Sequence, residues 1–139
     1  MPQKKIMIIE DDLVLLETIQ EILTLDAYEC LGISDTEHVF SHMEQFKPDL
    51  FLIDYMLPDW NGGELSGAIR GMDLFEQTPI IIMSAYARVL FPMTEYGCNA
   101  VLEKPFHIDE LSKLVKSYLR TPIIDSGLFP KIRTIMKKR

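Results

Sequence analysis

The strongest constraint in this sequence is an alternation. Short apolar runs at residues 5–9, 29–33, 50–53, 80–83 and 100–102 read as strands, and longer stretches with helical spacing lie between them. Leu15, Ile19, Ile22 and Leu23 share one helical face, as do Val39, Phe40, Met43 and Phe46, and later Leu111, Leu114, Val115, Tyr118 and Leu119. Leu65, Ala68, Ile69 and Met72 outline another helix, weakened by Gly67 and Gly71. Ser34 with Glu37 three residues later has the pattern of a capping box opening the second helix. The first, third and fourth runs are continuously apolar rather than alternating, which requires burial on both faces. Five such units within about 120 residues predict an α/β fold, a doubly wound five-stranded parallel sheet with helices on both faces.

Right-handed crossovers would bring all the strand C-termini to one edge, where ligands of such sheets bind. The residues that follow the apolar runs there are Glu10, Asp11 and Asp12, then Asp54, then Ser84 and Ala85, then Glu103, Lys104, Pro105 and Phe106. Any one of these acids alone is an ordinary helix cap or solvated turn. Together they place several carboxylates, a hydroxyl and a lysine at one edge. Clustered carboxylates resist joint ionisation unless a cation sits among them. Oxygen ligands without His or Cys point to Mg²⁺, with Mn²⁺ as a substitute. Asp54, emerging from the run Leu50-Phe51-Leu52-Ile53, is placed to act as a nucleophile and form an aspartyl phosphate. Lys104 and the Ser84 hydroxyl are placed to hold phosphoryl oxygens.

Composition narrows the function classes. The 139 residues are 47% hydrophobic, enough for a real core, so wholesale disorder is excluded. No apolar run approaches the roughly 18 residues of a membrane span, and the N-terminus has no secretory pattern; the chain reads as cytoplasmic. The two cysteines, Cys30 and Cys98, form no CxxC pair and read as reduced thiols. The net charge is −7, but residues 131–139 hold five Lys/Arg and no acid, so the first 130 residues carry −12. An acidic body repels phosphate, so direct nucleic-acid binding is not expected.

The combination IIEDD, FLIDYMLPDWNG, PIIIMSA and EKPF, in that order, resembles the receiver domains of two-component response regulators over about residues 4–120. The resemblance implies strand order 2-1-3-4-5. It implies a signalling switch in which Asp54 takes a phosphoryl group from a sensor histidine kinase or phosphotransfer protein. Such a domain catalyses only its own phosphorylation and dephosphorylation, and its altered shape selects a downstream protein partner. Glu10 and Asp11 would hold Mg²⁺ with Asp54 and the backbone carbonyl of Met56. Ser84 would be the switch hydroxyl, Lys104 would contact the phosphoryl oxygens, and the Lys104–Pro105 peptide would be cis. Asp12, just beyond the metal pair, reads as the cap of the first helix. Small Ala85 would leave the acyl phosphate open.

Three features depart from the family pattern. The family often has Tyr or Phe three residues before the lysine; here that switch position is Val101, so propagation would fall to the loop after the fourth strand. The segment from Ser84 to Lys104 is shorter than usual and contains Pro92, which predicts a short or kinked helix there and puts a standard phosphorylation-dependent homodimer in doubt. Residues 121–139 form a basic extension beyond the domain, with Leu128, Ile132, Ile135 and Met136 at helical spacing: a linker stub, an extra helix packed on the body, or a partner helix.

Other residues carry less. His38 and His42 lie four apart, a spacing that can bind metal, but without a third ligand. His107 reads as the cap of the last helix, and Trp60 as a loop aromatic near the site. Two competing functions use the same fold logic. An aspartyl-phosphate phosphatase of the haloacid-dehalogenase type would need its nucleophile on the first strand and a second Asp two residues later, where this chain has Met56 after Asp54. A flavin module would need a Ser/Thr/Gly-rich loop where Glu10-Asp11-Asp12 stand. The domain is also compatible with excision from a larger regulator or hybrid kinase.

Overall fold

The computed structural model describes residues 2–86 and 97–120. Its five strands are β1 (Lys5–Ile9), β2 (Glu29–Ile33), β3 (Leu50–Asp54), β4 (Ile80–Ser84) and β5 (Ala100–Glu103). They form one parallel sheet in the order β2-β1-β3-β4-β5. The helices among the described residues are α1 (Leu13–Leu25), α2 (Val39–Phe46), α3 (Gly62–Arg70) and α4 (Ile108–Leu119), with a 3₁₀ turn at Asp73–Phe75. This is the doubly wound α/β architecture that the alternation predicts, in the strand order 2-1-3-4-5 that the family resemblance implies.

Alternate strand residues serve opposite faces. Ile6, Ile8, Leu50, Leu52, Ile81 and Met83 pack beneath α1 and α4, against Leu16, Ile19, Leu23, Leu111 and Val115. Met7, Ile9, Phe51, Ile53, Ile80 and Ile82 pack beneath α2 and α3, against Val39, Met43, Leu65 and Ile69. Phe51 and Phe75 meet edge to face at 5.1 Å. This double burial is why the sequence shows unbroken apolar runs.

Local chemistry sets the helix ends. Asp12 caps α1, its Oδ1 accepting from the N–H groups of Val14 and Leu15 at 3.1 and 3.2 Å. Asn61 caps α3, accepting from Glu64 N–H at 2.8 Å. His107 occupies the N-cap of α4, and its N–H donates to Glu110 Oε1 at 3.2 Å. The expected Ser34–Glu37 box does not form. Helix α2 starts later, at Val39, with no side-chain cap, and Asp35 Oδ1 instead accepts from Glu37 N–H at 3.1 Å. Asp35 turns the backbone locally in competition with a helix start. Met72 lies beyond the end of α3 at Arg70, although it still packs on the core.

Arg70 fastens this end of the fold. It donates to Gly97 O from Nε and Nη2 at 3.0 and 2.9 Å, to Phe75 O and Glu76 O at 2.9 Å each, and to Asn99 Oδ1 at 3.0 Å. Asn99 Oδ1 also accepts from Ile80 N–H at 2.9 Å, so one side chain ties the start of β4 to the approach to β5. Gly97 has φ +81, and a Cβ there would lie 2.9 Å from Arg70 Cγ, so glycine serves both the backbone and the guanidinium's passage. Among the described residues neither cysteine forms a disulfide, and burial pushes the Cys98 thiol up to about 11, which disfavours its thiolate. Among the described residues no helix is long and apolar enough to cross a membrane. The helix expected near Pro92 and the extension 121–139 lie outside the described residues.

Candidate functional site

The strand register brings the polar residues together. Ile9 pairs with Ile53 and Asp54 with Met83, so Glu10 and Asp54 emerge side by side from adjacent strands. Ser84 pairs with Glu103, and Lys104 N–H donates to Ser84 O at 2.9 Å, which sets the lysine beside them. Asp54 and Ser84 extend their strands one residue past the apolar runs: both are polar, yet both are strand-paired and buried. The Lys104–Pro105 peptide is cis.

Glu10 is 1% and Asp54 4% exposed. Lys104 Nζ bridges them, at 3.0 Å from Glu10 Oε2 and 2.9 Å from Asp54 Oδ1. Glu10 Oε1 accepts from Asp12 N–H at 3.3 Å, and a backbone hydrogen bond from Met56 reaches the Asp54 carboxylate. Carboxylate oxygens of Glu10, Asp11 and Asp54 all lie within 4.8 Å of one another. Burial pushes the Glu10 carboxyl above its ordinary value, with Asp54 adding to the shift and Lys104 opposing it. Burial likewise raises Asp54; Lys104 again opposes, and Asp11 adds. Burial alone would lower Lys104, but its bonds to both carboxylates outweigh that and hold it above its ordinary value. Two buried carboxylates thus share one lysine, with a third carboxylate, Asp11, at the rim. That surplus of oxygen ligands and negative charge fits a hard divalent cation, to which Glu10, Asp11 and Asp54 would contribute.

Ser84 is 1% exposed, and its Oγ accepts from Tyr86 N–H at 2.9 Å. Met56 follows Asp54 by two residues, with its side chain exposed, and forms an isolated bridge with Asn61. The neighbouring hydrogen bond runs from Gly62 N–H to Tyr55 O at 2.7 Å. Val101 sits apart from this cluster, half-buried in β5 and paired with Ile82. Trp60 is half-buried, edge to face with Phe40 at 5.8 Å. His38 is exposed and lies outside the carboxylate trio.

Two structural supports were not read from the sequence. Gly62 starts α3 so close to β3 that a Cβ would lie 2.6 Å from Asp54 O and 2.9 Å from Tyr55 Cα. The string Asn61-Gly62-Gly63 was the available signal: a capping residue followed by two helix-poor glycines. Beside Lys104 there is also an apolar cavity of about 320 Å³, lined by Leu15, Ala85, Lys104, Pro105 and Phe106.

Fold and site together define a doubly wound α/β protein with a carboxylate pocket at its strand ends. The family model for the response regulator receiver domain matches residues 6–116. The chain is 34% identical over 118 residues to the sensory transduction protein BceR of Halalkalibacterium halodurans, covering 84% of this chain and 50% of that protein. Its fold matches TrrA of Thermotoga maritima, solved with Mg²⁺ and BeF, at TM-score 0.76 and 26% identity over 84% of this chain and all of that one. It matches the receiver domain of the Pseudomonas aeruginosa sensor histidine kinase PA1611, solved with magnesium in its active-site cleft, at TM-score 0.76 and 25% identity over 84% and 98% of the two chains. The chain belongs to the response regulator receiver family, the phosphorylation-dependent switches of two-component signalling. It spans about half the length of BceR and of several further curated relatives.

Proposed function

We propose that this chain is a switch whose state is set by Mg²⁺-dependent phosphorylation of Asp54. The observation that carries the reading is the buried pair Glu10 and Asp54, bridged by Lys104 and within 4.8 Å of Asp11. Bound Mg²⁺ would supply the positive charge that lets Asp54 and an incoming phosphoryl group share one pocket. Glu10, Asp11, Asp54 and the Met56 carbonyl would hold it.

An Asp54 carboxylate oxygen attacks the phosphorus of a phosphohistidine on the donor protein. The P–N bond breaks as the P–O bond forms, and the imidazole leaves and recovers its proton. Lys104 exchanges its Asp54 oxygen for a phosphoryl oxygen and keeps its bond to Glu10, so the bridge already in place becomes part of the phosphorylated site. Ser84 Oγ leaves the Tyr86 N–H and donates to the phosphoryl group, drawing the loop after β4 with it. With Val101 in place of an aromatic, the change passes through that loop rather than through a rotating ring in β5. The receiving partner is a downstream protein, and the donor a histidine kinase or phosphotransfer protein.

Intact-mass measurement after incubation with acetyl phosphate and Mg²⁺ tests this. One phosphoryl group should appear in the wild type and be absent from Asp54→Asn and from samples without Mg²⁺. Modification that persists in Asp54→Asn would refute the assignment.

A further inference from the structure

We propose that the basic C-terminal segment of this chain, residues 128–139, docks along the exposed face of α1. The receiving surface is an open groove of about 590 Å³ lined by Glu17, Gln20, Glu21, Thr24 and Leu25. These residues recur at helical spacing, so they form one continuous stripe down α1. Its chemistry is specific. Glu17 and Glu21 are like charges four apart, an arrangement that destabilises a helix slightly, and among the described residues neither forms an ion pair. Leu25, at the end of the stripe, is 87% exposed, an apolar group without cover.

The segment matches that surface feature by feature. Residues 131–139 carry five Lys/Arg and no acid, against a body of net charge −12. In a helix, Leu128, Ile132, Ile135 and Met136 fall on one face, with basic residues flanking them. An apolar stripe edged with cations complements a stripe that is acidic at Glu17 and Glu21 and apolar at its Leu25 end.

The point of departure also fits. The described chain ends at Arg120, immediately after α4. The charges of Arg120 and of Asp26, the residue that ends α1, both act on Tyr28. Ser112 Oγ of α4 donates to Asp26 Oδ2 at 2.8 Å. Arg120 thus lies near Tyr28, on the side of the domain where α1 ends at Asp26. Residues 121–127 can span up to about 23 Å when extended, and the 13 residues of α1 rise only about 20 Å. Residues 128–139 can thus reach the whole stripe without strain.

Hydrogen–deuterium exchange on the 139-residue chain tests the proposal. In the wild type at low salt, peptides from α1 and from residues 128–139 should both exchange several-fold more slowly than in a tail-reversed variant (Lys131→Glu, Arg133→Glu, Lys137→Glu, Lys138→Glu, Arg139→Glu). Glu17→Lys with Glu21→Lys should release the same peptides, and combining both sets of reversals should restore protection. Trp60 fluorescence serves as the check that every variant is folded. Exchange of α1 that is the same in the wild type and the tail-reversed variant would overturn the proposal. So would failure of the combined variant to regain protection, or protection that grows with protein concentration, which would assign the contact to a second copy.

Discussion

Replacing Lys104 with Met removes one side chain and strands two charges. Lys104 Nζ lies 2.9 Å from Asp54 and 3.0 Å from Glu10, whose side chains are 6% and 1% exposed. Without the lysine, both carboxylates remain out of water with no cation. Breaking a buried pair by deleting one partner costs about 3–5 kcal/mol; the lysine's own partial exposure places this case near the lower end, about 3 kcal/mol at neutral pH without metal. The pH dependence separates charge from packing. Both carboxyls already sit above their ordinary values because of burial. A raised carboxyl contributes stability below its unfolded pKa and loses it as pH rises through the folded one. Lys104→Met raises both further, so the deficit against wild type should be small in acid and grow as pH climbs from the ordinary carboxylate range toward neutrality. Mg²⁺ should then restore more stability to the variant than to the wild type, because it replaces the missing charge. At a hundredfold excess over its dissociation constant, a bound ligand contributes about 2.7 kcal/mol. The assay is urea unfolding followed by Trp60 fluorescence, at pH 4.5 and 7.5, with and without Mg²⁺. A deficit equal at the two pH values would refute the electrostatic reasoning and leave only lost packing.

Three further outcomes follow from the same structure. Gly62→Ala should cost about 1–3 kcal/mol, the usual penalty of overpacking, because its Cβ would meet Asp54 O at 2.6 Å; acetyl phosphate labelling should slow as the Asp54 backbone is displaced, and chemical unfolding measures the stability loss. Arg70→Met should cost about 3 kcal/mol by leaving Gly97 O, Phe75 O and Glu76 O without their charged donor, and hydrogen exchange should rise first at Gly97 and Asn99. Asp12→Ala should cost about 1 kcal/mol through loss of the α1 cap; thermal unfolding reads this, and Mg²⁺ titration of Trp60 fluorescence should show little change in affinity if capping is its main role.

The strands were legible because burial on both faces leaves nothing polar in their interiors: Ile6 to Ile9 and Leu50 to Ile53 are all fully buried. Their ends were harder to read. Asp54 and Ser84 are polar and still strand-paired, because what ends an apolar run here is the start of the site rather than the end of the ladder. The meeting of Glu10, Asp54 and Lys104 could be read from topology, since parallel strands share one C-terminal edge. The start of α2 could not, because the Ser34–Glu37 pattern is outcompeted by the turn that Asp35 makes with Glu37 N–H. The Arg70 clasp was equally hidden: its main partners, Gly97 and Asn99, are 27 and 29 residues away, and no local pattern marks such a pairing. Gly62 shows the same limit, because its need for no side chain arises from the Asp54 carbonyl facing it across the loop.

The decisive measurement locates the phosphoryl group rather than merely detecting it. The protein is incubated with Mg²⁺ and acetyl phosphate, reduced with borohydride to trap any acyl phosphate, digested and sequenced by tandem mass spectrometry. Homoserine at position 54, dependent on both Mg²⁺ and phosphodonor, is the result expected of the buried carboxylate that Lys104 bridges to Glu10. Reduction products at Glu10, Asp11 or Asp12 with position 54 left as aspartate would contradict that assignment and move the nucleophile to the loop after β1.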